Sequence, residues 1–163
     1  INPRLTVISA VFPETPPANV SYGADQVLDV RNNGHVLVTA GTLTLQAGHY
    51  TFESLTLSEG ARLQLDSRTE PVYVDIKGGF SFSGETEAFN PSRLRFAVFG
   101  SAGATIAGDT ATTPFRGTIV AMRGPIAYTS ARPCHGALFG AQVSVQTNAE
   151  ICRVPFAAWE SQT

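Results

Sequence analysis

From Gly34 onward, apolar and polar side chains alternate in short runs broken by glycine. The runs are Val36-Leu37-Val38, Leu43-Thr44-Leu45, Tyr50-Thr51-Phe52, Leu55-Thr56-Leu57, Leu63-Gln64-Leu65, Val72 to Ile76 and Phe80-Ser81-Phe82. A period of two is the signature of strands that bury one face. After Pro91 the pattern resumes at Leu94 to Val98, Thr105 to Ala107, Gly117 to Ala121, Ile126 to Tyr128, Ala137 to Phe139 and Val143 to Val145. No segment of this region sustains a helical period.

The breaks say how the strands connect. A tight hairpin asks for a pair such as Asn-Gly, and Asn33-Gly34 is the one clear case. Most breaks instead read Gln46-Ala47-Gly48, Ser58-Glu59-Gly60 and Lys77-Gly78-Gly79, which let a chain turn a corner and continue. Taken in threes, the strands give coils starting at Leu43, Tyr50 and Leu55; then Leu63, Val72 and Phe80; then Leu94, Thr105 and Ile119; then Ile126, Ala137 and Val143. Each coil places its strands above those of the coil before, so apolar side chains stack inward in layers. The expected fold is all-β, a right-handed parallel β-helix, with a β-sandwich as the alternative.

The ends read differently. Pro3, Pro13, Pro16 and Pro17 crowd the first twenty residues, which prevents regular helix and leaves only edge-strand pairing. Residues 1–33 are therefore expected to form an extended arm, with short strands at Leu5 to Val11 and Gln26 to Val30, lying across one end of the body as a cap. Residues 34–163 form the body, closed at its far end by Phe156 and Trp159. The turn Gln146 to Ala149 would bring Ile151-Cys152 back toward Cys134. A disulfide between Cys134 and Cys152 would pin that last coil and restrict the unfolded chain by roughly 3 kcal/mol. Two buried free thiols are the other reading of the pair.

Composition agrees with a strand-rich body. Charged residues make up 15% of the 163 positions, against about 25% in ordinary domains, and 15 Gly and 10 Pro supply the turns. The length fits one domain, which buries roughly two thirds of its unfolded surface. The net charge of −2 provides no positive field for phosphate backbones, so nucleic acid is not an expected partner. No apolar run reaches the roughly 18 residues of a membrane span. The start, Ile1-Asn2-Pro3-Arg4, has neither Met nor a signal-peptide pattern, as expected of a mature or excised fragment.

Two stretches carry a resemblance: Ala40 to Leu57, reading AGTLTLQAGHYTFESLTL, and Pro114 to Ala121, reading PFRGTIVA, followed by Gly136 to Val143, reading GALFGAQV. They resemble β-helical segments of large, uncharacterised bacterial secreted and surface proteins, over roughly Gly34 to Phe156. The resemblance implies a solenoid and a secreted or cell-surface location, and it brings no catalytic motif. A looser similarity links the chain to polymer-forming, bactofilin-type β-helices, which are cytoplasmic and lack such an arm and cysteine pair.

Alternation also assigns a facing to each charged residue. Arg62, Gln64 and Asp66 should point outward beside Leu63 and Leu65, and Arg93 and Arg95 beside Leu94 and Phe96. Stacking these strands would give an Arg and carboxylate patch, the kind of surface on which a polysaccharide-cleaving β-helix arranges acid/base groups. With Tyr73 as a flat ring for stacking on a sugar, the candidate glycan-binding face is Arg62, Asp66, Tyr73, Asp75 and Arg95. A solvated ladder of surface charges is the plainer reading.

His35, His49 and His135 have no metal-ligand spacing, and no Gly-x-Ser-x-Gly elbow is present. Thr56, Ser81, Thr118 and Ser144 form an outward hydroxyl set able to order water or contact glycans, without the regular repeat that ice binding needs. No catalytic residue, metal or cofactor is expected. The functional expectation is a non-catalytic extracellular structural or adhesive module, with self-association or surface glycans as its partners and fibres as one outcome. The alternative is a polysaccharide-binding or polysaccharide-cleaving domain.

Overall fold

A computed structural model describes residues 8–88, 90–108, 113–154 and 156. The chain is an all-β solenoid of about six turns, and every strand pairing in it is parallel. The winding starts with β1 (Val20–Tyr22) and β2 (Gln26–Leu28), then β3 (Asn32–Val38), β4 (Thr42–Leu45), β5 (Gly48–Leu57) and β6 (Arg62–Leu65). It continues through β7 (Val72–Ile76), β8 (Phe80–Phe82), β9 (Glu85–Ala88), β10 (Leu94–Val98) and β11 (Ala104–Ile106). It ends with β12 (Phe115–Ala121), β13 (Ile126–Tyr128), β14 (Cys134–Gly140), β15 (Val143–Val145) and β16 (Ile151–Arg153).

These strands stack into three faces. The first runs from the start of β3 through the N-terminal half of β5 to β7, β10, β12, β14 and β16. The second stacks β1, the rest of β3, the C-terminal half of β5, β8, β11, β13 and β15. The third holds β2, β4, β6 and β9. β5 spans two faces as one strand, whereas the next turn divides at Lys77-Gly78-Gly79, whose amides bond to Phe52 and Glu53 below and whose Gly79 carbonyl accepts from Leu55.

Period two decides what lies inside. On the second face each short strand reads in, out, in: Phe80-Ser81-Phe82, Ala104-Thr105-Ile106 and Ile126-Ala127-Tyr128, with the outer residues of each triplet buried. Successive strands superpose like on like, so Val36, Leu55, Phe80, Ala104 and Ile126 form one inward column. Each large apolar side chain fully buried this way contributes about 1.5–3 kcal/mol. Phe80 and Phe96, from different faces, stack with centroids 5.0 Å apart, and Phe115 packs against both Phe82 and Phe96.

The expected coils hold for the first turns, where Leu43 stacks on Leu63 and Leu55 on Phe80. They slip by one face from Leu94, which stacks on Val72, because β9, a Glu-Thr-Glu-Ala strand without apolar alternation, already takes the next place on the third face above β6. Asn33-Gly34 makes no hairpin and lies inside β3. The boundary placed near residue 33 thus falls within a strand, and β1 and β2 upstream of it pair with the body.

Three expectations about the ends are corrected. The arm does not lie across an end: Ser9 to Val11 run beside His49, Thr51 and Asp75, and Phe12 meets Phe99 edge-on at 5.5 Å, all on the outer side of the first face. Phe156 does not close the last coil either, for it is buried on the same outer side with its ring 5.6 Å from Tyr73. Trp159 lies outside the described residues. Finally, Cys134 and Cys152 are both free thiols. The register pairs Cys134 with Ile151 and Cys152 with His135, so the two cysteines have opposite parity. Cys134 points into the core, while the Cys152 thiol sits by Glu150, 3.4 Å from its Oε1.

Candidate functional site

The outer side of the first face carries a cluster of aromatic and charged side chains. Parallel register aligns His49, Tyr73, Arg95, Thr118 and Ala137 in one outward column, with Thr51, Asp75, Ala97 and Val120 in the next. Tyr73 lies between its two cross-strand neighbours. The His49 ring stacks on it at 4.2 Å and 14°, and the Arg95 guanidinium carbon sits 4.7 Å from its centroid. Arg95 Nη2 donates to Asp75 Oδ1 at 3.0 Å.

Outward residues of a solenoid are ordinarily wet, yet these are not. The side chains of Arg95 and Asp75 are only 10% and 6% exposed, and Thr118 and Ala97 are fully buried. The arm and Phe156 form the cover. Burial pushes the Asp75 carboxyl above its ordinary value, against the opposing pull of Arg95 and, less strongly, of His49. Arg95 Nε and Thr118 Oγ1 are buried without a hydrogen-bond partner among the described residues. Each such group costs about 1–3 kcal/mol.

Between the arm and this face lies a cleft of about 590 Å³, lined by the arm at Ser9 to Val11 and by Arg31, Asn32, His49, Thr51 and Asp75. Thr51 Oγ1 donates to Asn32 Oδ1 at 2.8 Å, and Arg31 Nη1 donates to the Ala47 carbonyl at 3.2 Å while its guanidinium lies 4.5 Å from the Tyr50 centroid. The cleft offers a cation, an imidazole and a carboxylate to a small polar molecule. Alternation points His49 outward, but Arg31 and Asn32 lie within the supposed arm, and nothing in the local pattern singles them out.

The five residues expected on one glycan-binding face divide. Tyr73, Asp75 and Arg95 come together under the cover. Arg62 and Asp66 lie on the third face, where Arg62 is half exposed and reaches Glu85 at 3.4 Å and Glu87 at 3.8 Å. Asp66 instead accepts two 2.9 Å bonds from Arg68, which hold its carboxyl below the ordinary value. Exposed pairs of this kind add little to stability, because water screens them. Arg62, Glu85, Glu87 and Arg116 line a second, open cleft of about 310 Å³.

The hydroxyl set divides as well. Thr56, Ser81 and Ser144 share one outward column of the second face with Ser21 and Thr105, whereas Thr118 is buried on the first. His35 Nδ1 lies 2.6 Å from Ser54 Oγ, and His135 pairs in register with Arg116 and Cys152. Among the described residues no group of three or more His, Cys, Asp or Glu side chains could hold a metal ion, and no helix is long and apolar enough to cross a membrane.

Arg132 is a buried cation that sequence reasoning passes over. It is 3% exposed, donates through Nη1 to the Gly84 carbonyl and through Nη2 to the Ala107 carbonyl at 2.7 Å, and rests on the Phe82 ring. Its bonds run to backbone in two lower turns, so it fastens turns together and does not face a ligand. No family model, curated protein or solved structure matches the chain.

Proposed function

We propose that the chain is a non-catalytic extracellular structural module that associates through the ends of its solenoid. The observation that carries this reading is that both ends expose strand edges and inward-facing apolar side chains. At one end Val143, Val145 and Ile151 are each 40% exposed, and at the other Val20 is 38% exposed. Among the described residues β15 pairs only with β13, β16 only with β14 and β1 only with β3. Unpaired edges of this kind template pairing with another chain unless they are covered or charged.

The extracellular placement rests on the likeness of the Ala40 to Leu57 and Pro114 to Ala121 runs to secreted β-helical proteins, since the cysteines lend it no support. Sedimentation velocity over a wide concentration range, with negative-stain microscopy of the same samples, tests the assembly. Particles that grow in steps of one chain length support it, and a monomer at every concentration removes it.

Glycan binding is favoured as a second reading by the open cleft of Arg62, Glu85, Glu87 and Arg116. Carboxylates and guanidinium groups side by side suit sugar hydroxyls. A glycan array on wild type and Arg62→Ala tests it, and silence of the wild type ends it.

A further inference from the structure

We propose that the module stacks head to tail in one defined register, with β15 of one copy paired to β1 of the next, so that the solenoid runs on across the junction. The inference rests on the end-association reading above and specifies its partner as a second copy of this chain, its polarity and its register.

The first support is side-chain parity. β1 reads Val20-Ser21-Tyr22 and β15 reads Val143-Ser144-Val145, both apolar, Ser, apolar. Both belong to the second face and run parallel to every strand between them. Val20 opens the inward column that ends at Val143, and Tyr22 opens the one that ends at Val145. Laying β1 on β15 places Val20 over Val143, Ser21 over Ser144 and Tyr22 over Val145. Both inward columns then continue without a break.

The winding phase gives the second support. The chain visits the first, second and third faces in that order. Among the described residues the last strand, β16, lies on the first face, and the first strand, β1, lies on the second. A following copy therefore takes up the winding at the face where the preceding copy leaves it. Head-to-head or tail-to-tail contact would oppose two like steps and set strands antiparallel.

A cross-link tests polarity and register together. Ser21→Cys and Ser144→Cys are prepared, each with Cys152→Ser. Mild oxidation of the mixture should yield a cross-linked pair that neither variant forms alone, because neighbouring parallel strands lie about 4.8 Å apart, within disulfide reach. Cross-links of Ser144→Cys with itself would overturn the polarity, and assembly without any cross-link between the two variants would overturn the register. Either result leaves end association standing. A chain that stays monomeric at every concentration overturns both.

Discussion

Asp75 accepts a 3.0 Å hydrogen bond from Arg95, and the two side chains are only 6% and 10% exposed although both project from the outer side of the solenoid. Removing one partner leaves the other buried and uncompensated. Arg95→Met, which strands the buried carboxylate, should therefore destabilise the chain by about 3–5 kcal/mol, while adding Asp75→Asn should recover most of the loss. Urea denaturation of the two single variants and the double measures this, and strictly additive losses would show that the residues act independently.

The same pair sets a pH dependence. In the folded chain the Asp75 carboxyl is held above its ordinary value of 3.8, so folding strengthens proton binding there. The stability contributed by this group is present in full below the ordinary value and is lost as pH rises through the folded value. From about pH 4 upward the unfolding free energy of wild type should accordingly fall relative to that of Asp75→Asn. Denaturation curves at closely spaced pH check the sign, and an opposite slope would mean that Arg95 outweighs burial.

Arg132 joins separate turns through the Gly84 and Ala107 carbonyls. Burial lowers its pKa, against the opposing pull of Tyr128 and Glu85. Arg132→Leu removes both donors and leaves two buried carbonyls unpaired, a loss of about 2–4 kcal/mol. Lys, a single point donor without the planar fork, should restore only part of it. The midpoint of denaturation should shift with an unchanged slope; a changed slope would place the effect in the denatured ensemble.

How much of this could be read beforehand follows from what alternation encodes. It fixes which side of a sheet a residue faces, so the inward columns at Leu43, Leu55, Leu63 and Phe80 were legible. It does not fix which face of a solenoid a strand joins, and the slip at Leu94 begins because β9, whose Glu85-Thr86-Glu87-Ala88 shows no apolar alternation, takes the third-face place. Nor does it report cover from distant chain. Tyr73, Asp75 and Arg95 face outward as expected and are nonetheless buried, because the arm and Phe156 come from opposite ends of the sequence. The cysteines were within reach of the same rule: with Ile151 inward, Cys152 must point out, away from Cys134.

The thiols should differ sharply in reactivity. Burial pushes Cys134 up to about 12 and keeps it protonated at neutral pH, whereas Cys152 lies open to reagent, its thiol raised chiefly by its hydrogen bond to Glu150. Titration of the native chain should find one thiol reacting readily and a second only on unfolding, since the thiolate is the reactive species. Two fast thiols would show that the last turn opens on the timescale of the reagent. A reagent-silent native protein that yields two thiols only after reduction would restore the disulfide.

Gly34 decides whether the arm can lie where it does. Its backbone passes so close to the arm that a Cβ there would meet the Pro17 carbonyl oxygen, with the Ala18 oxygen 2.7 Å away. Those are backbone atoms, which cannot swing aside as the end of a flexible side chain can. Gly34→Ala should therefore displace the arm from this corner while β3 stays anchored by its pairing with β5 on one side and β1 on the other. The consequence reaches beyond the corner, because the arm at Ser9 to Val11 walls the cleft beside His49 and Asp75. Hydrogen exchange in the variant should rise across residues 9–18 and leave the Leu43 to Phe82 turns protected, since local opening follows the number of buried contacts a segment makes. Loss of protection throughout the body would instead mean that the arm is integral to the solenoid, and an unchanged exchange pattern would mean that the corner yields without moving the arm.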